Sequence, residues 1–116
     1  MPRILIVDSD AEMLELLRAI LEREGFEAIT TFRASTIFKL IHSFKPDVIL
    51  IDMHMGQFDV ASICREIKIH PDISNINIIL MSDLHTNIDA AKYYCDDFIS
   101  KPINMADLVD KLLTAH

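Results

Sequence analysis

Val48-Ile49-Leu50-Ile51-Asp52 decides the fold. An unbroken run of branched apolar residues ends there in a carboxylate. Ile4-Leu5-Ile6-Val7-Asp8 repeats the pattern near the start of the chain. Runs that are apolar at every position, rather than at alternate ones, predict strands buried on both faces, as in a parallel sheet. Near the end, Phe98-Ile99-Ser100 leads into Lys101-Pro102. In an open α/β sheet, functional groups gather at the carboxyl ends of the strands. Asp8, Asp52 and Lys101 are therefore predicted to meet at one sheet edge. Two carboxylates and an ammonium there suit a divalent cation and a phosphoryl group.

Between these runs lie segments with helical spacing. The first helix is predicted from Asp10 to Glu24, with Met13, Leu16, Leu17, Ile20 and Leu21 facing inward and Gly25 as its stop. A strand follows near Glu27 to Thr31. A second helix runs from Ala34 to Phe44, broken by Lys45-Pro46-Asp47. The third helix spans Val60 to Ile69. A fourth strand covers Asn77 to Met81, and a weakly patterned helix covers Asn87 to Tyr93. The last strand is Asp97 to Ser100. Asn104 caps a final helix whose apolar positions are Met105, Leu108, Val109, Leu112 and Leu113. Five strand–helix units predict an α/β, doubly wound, five-stranded parallel sheet with helices on both faces. The flavodoxin-like strand order 2-1-3-4-5 matches best.

At 116 residues with 51% apolar content, the chain is expected to form one domain over residues 1–116. A net charge of -7 disfavours direct binding to nucleic acid phosphates. No apolar stretch approaches a membrane span, and Met1-Pro2-Arg3 runs straight into a strand, unlike a signal peptide. Cys64 and Cys95 have no metal or redox spacing and read as packing residues of a reduced, cytoplasmic protein. No G-x-S-x-G or G-x-G-x-x-G occurs, and no Ser/Thr/Gly-rich loop follows Val7, which argues against a hydrolase or a flavin carrier.

Four motifs in order resemble the receiver domain of two-component response regulators: Ile-Leu-Ile-Val-Asp8, Asp47 to Asp59 around Asp52, Ile79-Leu80-Met81-Ser82, and Asp97-Phe98-Ile99-Ser100-Lys101-Pro102. The resemblance spans essentially the whole chain and implies a bacterial phosphorelay protein. Asp52 would take a phosphoryl group from a sensor histidine kinase or phosphotransfer protein. Asp8, Asp52 and the backbone carbonyl of His54 would hold Mg²⁺. Lys101 and the Ser82 hydroxyl would bind phosphoryl oxygens, and the Lys101-Pro102 bond is a candidate cis peptide. Phe98 stands where the family has an aromatic that swings between buried and exposed states. Phosphorylation would repack the face formed by the fourth helix, fifth strand and fifth helix. That face would serve a downstream protein, a fused output domain or a second copy. Such a protein assists its own phosphorylation and is not a turnover enzyme.

The chain departs from the family at several positions. Ser9 stands where the second of two adjacent acids is expected. One unit-charge pair at ~4 Å is worth about 4 kcal/mol at an effective dielectric of about 20, before desolvation. Mg²⁺ affinity is therefore expected to fall. Ser9-Asp10-Ala11-Glu12 also matches a capping box, which makes helix capping the favoured role for Ser9. Gly56 replaces a usual Pro, Val60 a usual Gly, and Tyr94-Cys95 a usual Gly-Ala. Asp83 follows Ser82 where a small neutral residue is usual. It is either a source of repulsion against an incoming phosphoryl group or a substitute metal ligand. These changes motivate an alternative: a degenerate pseudo-receiver that binds partners without phosphorylation.

Overall fold

The computed structural model describes residues 1–83 and 90–115. Its strands are β1 (Arg3–Val7), β2 (Glu27–Thr31), β3 (Val48–Asp52), β4 (Asn77–Ser82) and β5 (Asp97–Ser100). Its helices are α1 (Ala11–Arg23), α2 (Ile37–Phe44), α3 (Val60–Ile69) and α4 (Met105–Thr114). The five strands form one parallel sheet in the order β2-β1-β3-β4-β5.

Each central strand divides its side chains between two cores, because successive residues point to opposite faces. Ile4, Ile6, Val48, Leu50, Ile79 and Met81 pack with Leu14, Leu17 and Leu21 of α1 and Leu108 and Leu112 of α4. Leu5, Val7, Ile49, Ile51, Ile78 and Leu80 face the other way, onto Ile37 and Ile41 of α2 and Val60, Cys64 and Ile67 of α3. Burying one such side chain stabilises the fold by roughly 1.5–3 kcal/mol. Double-sided burial is why these strands read as continuous apolar runs. Cys64 belongs to this packing, and burial pushes its thiol up to about 12.

Helix ends follow local chemistry. Gly25 (φ +94°) closes α1 with two bonds, from its own N–H to the Glu22 carbonyl and from the Phe26 N–H to that of Leu21. This is a Schellman motif, and buried Phe26 and Leu21 supply its apolar contact. Asp59 and Asn104 cap α3 and α4 through side-chain oxygens that accept from Ser62 and Asp107 N–H groups.

Several expectations need correction. The α1 cap is Asp10, whose carboxylate accepts from the N–H groups of Glu12 and Met13, while Ser9 is exposed. One residue of register separates this cap from the Ser-x-x-Glu motif. The buried stripe of α1 runs through Leu14, Leu17 and Leu21, and Leu16 points to solvent. Leu113 of α4 is likewise exposed. The predicted second helix opens as a separate 3-10 turn over Ala34–Thr36. There the Thr36 hydroxyl bonds the Arg33 carbonyl and the Thr31 hydroxyl, which competes with regular helix. The predicted helix from Asn87 to Tyr93 lies mostly outside the described residues; its end, Ala90–Tyr93, is a 3-10 turn.

Candidate functional site

Strand register builds the site. Val7 lies opposite Ile51 on the neighbouring strand, so Asp8 and Asp52, each one residue later, emerge side by side. Asp52 pairs with Met81, which places Ser82 one step beyond, and Ser82 pairs with Ser100. The Lys101 N–H donates to the Ser82 carbonyl at 2.7 Å, extending that ladder by one rung. The Lys101-Pro102 peptide is cis.

The side chains converge on Lys101. Its Nζ donates to Asp8 Oδ2 at 2.9 Å and to Asp52 Oδ2 at 3.2 Å. The remaining carboxylate oxygens take backbone donors: Asp8 Oδ1 from Asp10 N–H at 2.9 Å, and Asp52 Oδ1 from His54 N–H at 3.0 Å. Both acids are buried, Asp8 at 1% exposure and Asp52 at 6%. Two buried carboxylates thus share one ammonium. Burial raises the Asp52 pKa, and the neighbouring Asp8 charge adds to this, while the His54 N–H and Lys101 oppose it. Burial lowers that of Lys101, but bonds and charges from Asp8 and Asp52 outweigh it, and the net shift is upward.

Ser82 is fully buried, and its hydroxyl has no hydrogen-bond partner among the described residues. A buried hydroxyl without a partner costs about 1–3 kcal/mol. Phe98 is 37% exposed on the outer edge of β5. Beside it lies a surface hollow that also involves Pro102, Asn104 and Lys111.

His54 and Asp83 form a relationship absent from the sequence reading. Asp83 Oδ2 lies 3.5 Å from His54 Nε2, and both side chains are largely exposed. No sequence spacing links the two, since they leave different strands. Asp83 is turned toward His54, and among the described residues no group of three His, Cys, Asp or Glu side chains gathers as a metal cluster.

The architecture and this edge define a flavodoxin-like α/β protein with an acid–amine site at the carboxyl ends of its strands. The model of the response regulator receiver domain matches residues 4–113, and the chain belongs to that family. It is 28% identical over 108 residues to the heme response regulator HssR of Staphylococcus saprophyticus, covering 93% of this chain and 48% of that protein. The probable transcriptional regulator ycf27 of Guillardia theta is 27% identical over 106 residues, covering 91% and 42%. The chain spans about half the length of the curated relatives it matches, or less. Among solved structures, the N-terminal domain of the nisin resistance regulator NsrR superposes with a TM-score of 0.87 at 28% identity, covering 99% of this chain and 97% of that one. A receiver domain from Colwellia psychrerythraea gives 0.85 at 27%, covering 97% and 98%. Among the described residues, no helix is long and apolar enough to cross a membrane.

Proposed function

We propose that this receiver domain accepts a phosphoryl group on Asp52 from a histidine kinase or phosphotransfer protein and passes the signal to a downstream or fused output. The observation that carries this reading is the Lys101 ammonium held between Asp8 and Asp52, beside the partnerless Ser82 hydroxyl. In the transfer, an Asp52 oxygen forms a bond to phosphorus as the donor's N–P bond breaks. The electron pair of that bond stays on the leaving imidazole, which takes a proton. Lys101 then follows the new charge, and Ser82 donates to a phosphoryl oxygen. The product is an acyl phosphate, so one transfer per chain is a signal, and the domain is no turnover enzyme.

The residues fit a largely hydrated Mg²⁺. Each carboxylate oxygen accepts one donor and keeps a second lone pair. Mg²⁺ is commonly bound through one or two carboxylates and retains several waters. Asp8, Asp52 and the His54 carbonyl would hold it, and it would neutralise phosphoryl charge during transfer. Ser9 adds no charge, so affinity is weakened.

The switch proposed here runs from Ser82 to Phe98, and the surface of β5 and α4 is the readout for an output partner or a second copy. The domain itself makes no nucleic acid contact and works in the cytoplasm. The test is transfer from phosphoramidate with and without Mg²⁺, read by intact mass, with Asp52→Asn as control. Wild type gains one phosphoryl group in Mg²⁺ and the variant none. The neutral Ser9 favours a second reading, a pseudo-receiver working without phosphorylation. Absence of label at any Mg²⁺ concentration would overturn the first reading, and partner binding unchanged by Asp52→Ala would support the second.

A further inference from the structure

The mouth of the site carries a charge that phosphoryl transfer to Asp52 does not require. Asp83 leaves the same strand end as Ser82, but Ser82 is fully buried whereas the Asp83 side chain is 70% exposed. The Asp83 carboxylate lies 3.5 Å from His54 Nε2, and the His54 N–H holds Asp52 Oδ1 at 3.0 Å. One residue therefore connects the Asp83 carboxylate to the phosphoacceptor carboxylate. Lys101 is taken up by Asp8 and Asp52 and makes no ion pair with Asp83. On the β1 side, exposed Asp10 adds a second carboxylate, occupied in capping α1. A group approaching Asp52 past the Ser82 hydroxyl meets a carboxylate faced by an imidazole and by no lysine or arginine among the described residues.

We propose that Asp83 is a specificity determinant for the phosphoryl donor: it disfavours small, free, anionic donors and favours a donor protein that sets cationic side chains against it. This rests on Asp52 being the phosphoacceptor. Every donor brings a negatively charged phosphoryl group to the same carboxylates. A small molecule has nothing with which to offset Asp83, whereas a protein surface can present Lys or Arg there. Complementary charge across an interface raises encounter rates and penalises wrong partners. Asp83 is connected to the reacting carboxylate through His54 alone, and its effect in transfer is screened by added salt.

The experiment compares two donors of different charge on the full chain in Mg²⁺. Acetyl phosphate is a dianion near neutral pH, and phosphoramidate carries one net negative charge less. Labelling rates are measured by intact mass for wild type, Asp83→Asn and Asp110→Asn, the last removing an equal charge from the exposed side of α4. Asp83→Asn is expected to speed labelling by acetyl phosphate about three- to fivefold at low salt, and labelling by phosphoramidate less. The gain should shrink in about 0.5 M salt. Asp110→Asn should change neither rate. Equal rates for wild type and Asp83→Asn, or the same gain from Asp110→Asn, would overturn the proposal. If no form takes label from either donor, the assignment of Asp52 fails and this inference falls with it.

Discussion

Lys101 and Asp8, from opposite ends of the chain, meet through a 2.9 Å contact between Nζ and Oδ2. The same ammonium reaches Asp52 at 3.2 Å, so one cation is shared by two buried acids. The centre is one charge short of balance, and removing different members has opposite effects.

Lys101→Met leaves two carboxylates buried together without their cation. Breaking a buried pair in this way costs about 3–5 kcal/mol. Asp52→Asn instead relieves the repulsion while keeping the shape, and is expected to stabilise by about 1 kcal/mol. Urea unfolding should show a lower midpoint for Lys101→Met and a higher one for Asp52→Asn, at constant slope. A lower midpoint for both variants would show that the acids are not in competition.

The pH dependence follows from the raised Asp52 pKa. The folded state keeps its proton at pH values where the unfolded chain, near pKa ~3.9, has lost it. The stability contributed by that proton is fully present below the unfolded value and is lost as pH rises through the folded one. Stability of wild type relative to Asp52→Asn should therefore decline with rising pH across this acid window. Urea midpoints of the two proteins, measured in parallel at several pH values, check it. For Lys101, also raised, the matching loss comes at alkaline pH.

Gly56 is held at φ +67° in the turn closed by the Phe58 N–H on the Met55 carbonyl at 3.3 Å. Gln57 has no positive φ, so the left-handed requirement of this turn falls on Gly56 alone. A Cβ at Gly56 would meet nothing within 4 Å, so the penalty for a side chain is purely backbone. Gly56→Ala is expected to lose about 1–2 kcal/mol, and Gly56→Asn less. Thermal unfolding resolves the two. Equal Tm for wild type and Gly56→Ala would refute the strained-turn account.

Ser9→Asp restores an acid beside Asp8. It should tighten Mg²⁺ binding tenfold or more, since a neutral hydroxyl gives way to a full charge. Titration of Mg²⁺ by calorimetry in both forms reads this directly. Unchanged affinity would place position 9 outside the metal's reach. Asp10 keeps capping α1 in either form, so stability is a separate readout.

Much of the site could be read before any coordinates. Apolar runs ending in Asp8, Asp52 and Ser82 marked strand ends, and strand ends of a parallel sheet share one edge. The positions that misled share a cause. Ser9 matched a capping box although Asp10 is the cap, and Leu16 and Leu113 each stand beside the leucine that is buried instead, Leu17 and Leu112. A local pattern cannot choose between residues one step apart, because one step on a helix is a turn of about 100°. Packing against the sheet makes that choice. His54 and Asp83 lay beyond any pattern, since they leave different strands and meet in space alone.

The sequence by itself determined the strands, their parallel class and the acids and amine at their ends, because burial on both faces imposes composition on each segment separately. Tertiary structure decided the rest: Val7 against Ile51, Lys101 between two carboxylates, the Ser82 hydroxyl without a partner, and Asp83 across from His54. These are distances between groups remote along the chain. They are fixed by register and packing, which no single segment encodes.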